Sequence, residues 1–254
     1  MSHGEIGATT MRDRVALVTG ASSGIGRAIA LGVAGAGASV LAVGRDADRL
    51  EQVAAEAHAS GSRLLPIPCD LTEDVAVRAL ARRVADDPGT LDVLVHAAGT
   101  IEFGTVAETG PEQLERAVRT NLTAPYAVTH ALLPLLERSR GDVVFVNSSA
   151  GIRPSAGVAA YGATKHALRG LADALRDEVN PLGIRVTSVY PGRTHTPMQA
   201  SVLRWEGRDE PVDRLLDPAD IASMVVAVLA LPRTAEVTDL HIRPARPPAP
   251  GARG

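Results

Sequence analysis

Cysteine occurs once in the 254 residues, as Cys69, which excludes a disulfide framework and a cysteine-ligated zinc cluster, and no metal site is expected. Lysine also occurs once: of 26 basic residues, Lys165 stands against arginine everywhere else. Aromatics are just as scarce, with Phe103, Phe145, Tyr126, Tyr161, Tyr190 and Trp205 as the complete set. No apolar run approaches the ~20 residues that a membrane-spanning helix requires. Residues 1–14 lack the apolar core of a signal peptide, so a cytoplasmic protein with no membrane partner is expected. A net charge of -3 lacks the basic excess that phosphate neutralisation demands, so nucleic acid is not an expected partner.

What remains is a chain with 45% hydrophobic residues, long enough to bury one substantial core. Strand-like runs fall at 14–19, 39–43, 63–68, 91–95, 142–146, 185–189 and 237–242, several of them nearly continuous in apolar residues. Helical spacing fills 24–34, 47–59, 73–85, 111–138, 157–180 and 218–230, with Asp217 before Pro218 as an N-cap signature. Alternation of this kind predicts a single doubly wound α/β domain of Rossmann type, with a parallel seven-stranded sheet covered on both faces. The domain is expected over 13–243, with loose ends at 1–12 and 244–254.

The first strand runs into Gly20-Ala21-Ser22-Ser23-Gly24-Ile25-Gly26 and then a helix. Gly20 suits a sharp turn, Gly24 a close approach to a pyrophosphate, and Gly26 tight helix–strand packing. The helix N-terminus offers free N–H groups and a positive dipole. The same residues fit the G-x-S-x-G nucleophile elbow of α/β-hydrolases, which would need His195 or His241 as a base. The second strand ends in Gly44-Arg45-Asp46. An acid at this strand end would bond an adenosine ribose and repel a 2′-phosphate, whereas the Arg45 guanidinium would pair with one, helped by the Ser22 hydroxyl. NADP(H) is therefore favoured over NAD(H), with Asp46 as the competing ribose ligand.

Tyr161 and Lys165 stand at i, i+4 and share a helix face. A phenol titrates near ~10, and a neighbouring ammonium is expected to lower that value. Thirteen residues before Tyr161, Ser148 follows a strand end, where parallel sheets bind ligands. Asn121 falls inside the long helical segment 111–138.

Together these residues resemble the short-chain dehydrogenase/reductase family over nearly the whole chain, from residue 14 to 242. The T-G-x-x-x-G-x-G pattern spans Thr19 to Gly26, and Asp70-Leu71 follows the third strand. His96-Ala97-Ala98-Gly99 stands for N-N-A-G, with histidine and alanine in place of two asparagines. Asn121, Ser148, Tyr161 and Lys165 match the family's catalytic positions, and Pro191-Gly192-Arg193-Thr194-His195-Thr196 matches P-G-x-x-x-T. Ser23 stands where many NADP-using members carry a basic residue.

The resemblance implies hydride transfer between a nicotinamide and a small carbonyl compound or alcohol. Ser148 would hold the carbonyl oxygen, Tyr161 give the proton, and Lys165 hold ribose hydroxyls. Asn121 would hold a relay water, and Thr194 and Thr196 the carboxamide. It also implies a homo-oligomer, a dimer or tetramer, through the helices of 111–138 and 157–180. A nucleotide-binding sensor without turnover and a lyase or epimerase remain as alternatives. Substrate specificity is expected from loops at 101–103, 150–155 and 198–214, where Met198, Leu203 and Trp205 form either an apolar lid or a docked helix.

Overall fold

The computed structural model describes residues 11–209 and 211–246. Of the ends expected to be loose, 1–12 and 244–254, residues 1–10 and 247–254 lie outside the described residues. Met11, within the expected N-terminal loose segment, is fully buried, and its N–H donates to the Ala36 carbonyl.

Seven strands form one sheet among the described residues: β1 (Val15–Thr19), β2 (Ser39–Gly44), β3 (Arg63–Pro68), β4 (Val93–His96), β5 (Asp142–Val146), β6 (Arg185–Pro191) and β7 (Asp239–Ile242). Their order is β3-β2-β1-β4-β5-β6-β7, with every pairing parallel. This is the doubly wound Rossmann-type α/β sheet expected from the alternation. All carboxyl ends of the strands share one edge, and the order reverses between β1 and β4, where such sheets bind ligands.

Strand alternation divides the core in two. Ala16 and Val18 of β1 face one side, with α1 (Gly24–Gly35), α2 (Ala47–Ala59) and α8 (Pro218–Leu229). Val15 and Leu17 face the other, with α3 (Asp74–Asp86), α5 (Ala124–Ser139) and α6 (Ala159–Val179). Neighbouring side chains along a strand therefore serve opposite layers, which is why these strands read as continuous apolar runs.

The segment 111–138, expected as one helix, is instead α4 (Pro111–Val118), a π-helical turn Arg119–Thr123, and α5. Residues 198–214 also resolve into structure: α7 (Pro197–Glu206) starts at a Thr196 cap, whose hydroxyl accepts from the Gln199 N–H at 3.1 Å. At the amino edge of the sheet, Asp142 is a buried hub. Its carboxylate is bonded by Arg14, by Arg185 at 2.7 Å and by Arg233 at 3.1 Å. Arg185 also donates to the Leu231 and Ala235 carbonyls, tying the chain beyond α8 to the sheet. No helix among the described residues is long and apolar enough to cross a membrane.

Candidate active site

The three glycines after β1 are each required, for different reasons. Gly20 has φ +66, and a Cβ there would lie 2.7 Å from the Ala98 backbone. A Cβ on Gly26 would lie 2.3 Å from the Gly20 carbonyl oxygen, so the turn and α1 close on each other. Gly24, φ +55, faces Thr196 at the start of α7. Ser23 holds the N-cap position of α1 without a side-chain cap bond, and the first turn contains no acidic residue. The positive end of this helix is therefore neither capped nor neutralised, which suits an anion such as a pyrophosphate.

Beside that turn the Thr19 hydroxyl donates to the Val95 carbonyl and accepts from the Ala97 and Ala98 N–H groups. It thereby stitches the end of β4 to β1 and places Ala98 and Gly99 along the cleft. The G-x-S-x-G reading gains no base. His195 lines a groove between α1 and α8, and His241 is stacked on Tyr190 at 4.7 Å.

One cleft gathers Gly20, Ser22, Ser23, Gly24, Ile25 and Gly26 with Arg45, Asp70, Leu71, Ala98, Gly99, Tyr161, Lys165 and Thr196. Asp46, the competing ribose ligand, is occupied elsewhere: it caps α2 by accepting from the Arg49 N–H at 3.0 Å, and it pairs with the Arg49 guanidinium. Arg45 is exposed beside the cleft, and a Cβ on Gly44 would lie 3.5 Å from the Ser22 hydroxyl. Asp70 accepts from the Thr72 N–H and hydroxyl, and these bonds, with the Arg45 charge further off, hold its carboxyl below the usual range. The chemistry of this set, a free helix N-terminus with a cation and hydroxyl at the β2 end, fits a dinucleotide carrying an extra phosphate.

At the other end of the cleft, Tyr161 and Lys165 are both buried on α6. Lys165 Nζ donates to the Val146 carbonyl at 3.0 Å and lies 5.8 Å from the Tyr161 ring centroid. Burial lowers the Lys165 ammonium to about 8. Burial also pushes the Tyr161 phenol up, with the Ser148 hydrogen bond acting against it. The expected lowering by Lys165 does not prevail, because removing the phenolate from water is the largest effect. Ser148, at the end of β5, accepts from the Ala150 N–H, which fixes its hydroxyl next to Tyr161.

Asn121 lies in the π turn, fully buried, and its amide is committed. Both N–H groups donate, to the Thr100 carbonyl at 2.9 Å and the Thr164 hydroxyl at 3.0 Å, and its oxygen accepts from the Thr100 N–H at 2.8 Å. The side chain is a clasp joining the loop after β4 to α6, with no N–H left for the relay water expected of it. It still reaches the site: a Cβ on Gly99 would lie 3.4 Å from its oxygen and 3.9 Å from Lys165 Nζ.

Three expected residues stand behind the cleft. The Gly192 N–H donates to the Ile242 carbonyl, Thr194 is buried with its hydroxyl on the Gly192 carbonyl, and Pro191 ends β6. Arg193 is taken by a two-pronged ion pair with Glu206. His96, in an asparagine's place, does not face the cleft. It is fully buried, bonded to the Thr129 hydroxyl at 2.8 Å and stacked on Phe145.

Sequence reasoning missed Cys69, Thr72 and Asn147 as members of the cleft, whereas Met198, expected in a lid or docked helix, does border it. Asn147 accepts from the Ser148 N–H and donates to the Lys165 carbonyl, joining two expected site residues. Its position directly before Ser148 was the available signal.

Comparison with known proteins follows the same lines. The sequence model of a family described as short chain dehydrogenase matches residues 14–207. An uncharacterised oxidoreductase of Staphylococcus epidermidis is 33% identical over 235 residues, 92% of this chain and 98% of that protein. The structure of an alcohol dehydrogenase from Thermococcus sibiricus, complexed with 5-hydroxy-NADP, superposes with a TM-score of 0.84 at 30% identity. That match covers 92% of this chain and 98% of that one. A point variant of actinorhodin polyketide ketoreductase with NADPH gives 0.85 at 33% identity, covering 94% of this chain and 98% of that one.

Proposed function

Because the chain belongs to the short-chain dehydrogenase family, we propose that it is an NADP(H)-dependent reductase of small aldehydes or ketones, with Tyr161 as proton donor. The observation that carries this reading is a cleft with Tyr161 and Lys165 at one end and the free N-terminus of α1 at the other, the Tyr161 hydroxyl being hydrogen-bonded to Ser148. The NADP-bound and NADPH-bound neighbours support the cofactor, as does Asp46 being tied up as a helix cap while Arg45 borders the cleft.

When bound, NADP(H) supplies or accepts the hydride. Gly20, Gly24, Ile25 and Gly26 would hold its pyrophosphate against α1, Arg45 with Ser22 and Ser23 the 2′-phosphate, and Asp70 and Leu71 the adenine. Ala98 and Gly99 would flank a ribose. Pro191, Gly192 and Thr194 would support the carboxamide side, with Thr196 at the cleft wall.

Ser148 orients the substrate oxygen by hydrogen bonding, and Tyr161 gives that oxygen its proton. Burial keeps the phenol in its neutral, proton-bearing form across neutral pH, but the same burial makes it a weaker acid whose phenolate must be stabilised. Lys165, cationic below about 8, lies close enough to stabilise the phenolate left behind and to hold ribose hydroxyls. Asn121 acts here as a positioning residue, keeping the loop of Gly99 and Thr100 against α6.

The test is NADPH and NADH oxidation against a panel of aldehydes and ketones, with Arg45→Ala beside the wild type. Faster turnover with NADPH is expected. Arg45→Ala should cut kcat/KM for NADPH by about tenfold to a hundredfold, the scale of a charge-assisted hydrogen bond, and leave NADH nearly unaffected. No turnover with any carbonyl favours the sensor reading, and equal loss with both cofactors removes Arg45 from phosphate recognition.

A further inference from the structure

Helix α7 is held at its two ends rather than along a core-facing stripe, since Gln199 is its only buried residue. Its first turn borders the nucleotide cleft through Pro197 and Met198. Its last turn is fastened twice. Glu206 takes both prongs of the Arg193 guanidinium, at 2.7 and 2.8 Å, and Trp205 stacks on Phe103 with centroids 5.3 Å apart at 18°.

The indole also covers Gly157: a Cβ there would lie 2.2 Å from the ring. Gly157 has φ +82, so glycine is required both by its backbone and by the tryptophan above it. The Gly104 N–H donates to the Gly157 carbonyl, and Gly104 bridges to Val158, so Phe103 and Gly157 belong to loops bonded together. Each loop leads within four residues to the cleft, one from Gly99 to Phe103 and the other from Gly157 to Tyr161. Trp205 and Phe103 therefore close the span between the loop after β4 and the loop before α6, the two loops that lead to Gly99 and Tyr161.

We propose that the Trp205–Phe103 stack is the specificity-determining gate of this site: it pins α7 across the mouth and admits carbonyl compounds with small, unbranched substituents. The proposal rests on the reductase reading for its substrate class, but the latch itself does not. The indole packs over Gly157, four residues before Tyr161, so it limits the room on that approach to the hydroxyl. Trp205 keeps 46% exposure, so trimming it opens the mouth without removing a core residue.

The experiment has two arms on the full-length protein. Trp205 is the only tryptophan, so its fluorescence reports the latch directly. Phe103→Ala should increase acrylamide quenching and shift the emission to longer wavelength, whereas unchanged quenching and emission overturn the latch. In the second arm, kcat/KM is compared for a short straight-chain ketone and an aryl ketone. Trp205→Ala should move the ratio toward the aryl ketone by about tenfold or more, the scale of a reshaped apolar pocket, with Trp205→Phe staying close to wild type. An unchanged ratio in Trp205→Ala, with circular dichroism confirming the fold, overturns the gate. If the wild type oxidises NADPH with neither ketone, the reductase reading fails and the quenching arm alone decides the latch.

Discussion

His96 is a histidine that acid must unfold the protein to reach. Burial lowers its imidazole to about 3, and its ring is packed between Phe145 and the Thr129 hydroxyl. The unfolded chain takes up this proton near pH 6.5, but the folded chain does not until about pH 3, so stability falls as pH drops through that window. The slope is up to ~1.4 kcal/mol per pH unit. Between pH 7 and pH 5 the wild type should lose about 2 kcal/mol more than His96→Asn in urea denaturation, and equal losses would contradict the assignment. The Tyr161–Lys165 pair shows where residue-level reading ends. The i, i+4 spacing gives their proximity, but the sign of the Tyr161 shift depends on how completely other segments exclude water, and that is not written in the local sequence.

At the scale of elements, strands and turns followed from local patterns because their apolar runs and glycines carry the information directly. The break of 111–138 did not. Its π turn is stabilised by Asn121 reaching Thr100 and Thr164, partners 21 and 43 residues away, so no helix propensity within the segment reveals it. The same holds for α7, whose polar and apolar residues form no buried stripe and whose fixed points lie on other loops. The Asp142 hub is another nonlocal device, joining arginines from before β1, from β6 and from beyond α8 on one carboxylate whose side chain is 4% exposed. Removing one partner of a buried ionic network leaves uncompensated charge. Asp142→Ala should therefore destabilise the fold by about 3–5 kcal/mol in chemical denaturation, and a loss below about 1 kcal/mol, the worth of a surface pair, would show the hub to be dispensable.

Across the whole molecule, the parallel sheet gathers at one edge residues spread from Gly20 to Thr196, and the reversal of strand order between β1 and β4 opens the cleft between them. That architecture was legible because strict strand–helix alternation admits few topologies. The substrate was not, since the loops expected to contact it are packed by one another, as Trp205 is on Phe103. The family resemblance extends to α5 and α6, the helices expected to pair between copies, so light scattering should return a dimer or tetramer, with a strict monomer contradicting it. The account as a whole turns on the Tyr161 hydroxyl. Tyr161→Phe should bind NADPH as the wild type does, read by quenching of Trp205 or by cofactor fluorescence, yet reduce carbonyl substrates at least about a hundredfold more slowly. Near-normal turnover in that variant would contradict the assigned chemistry.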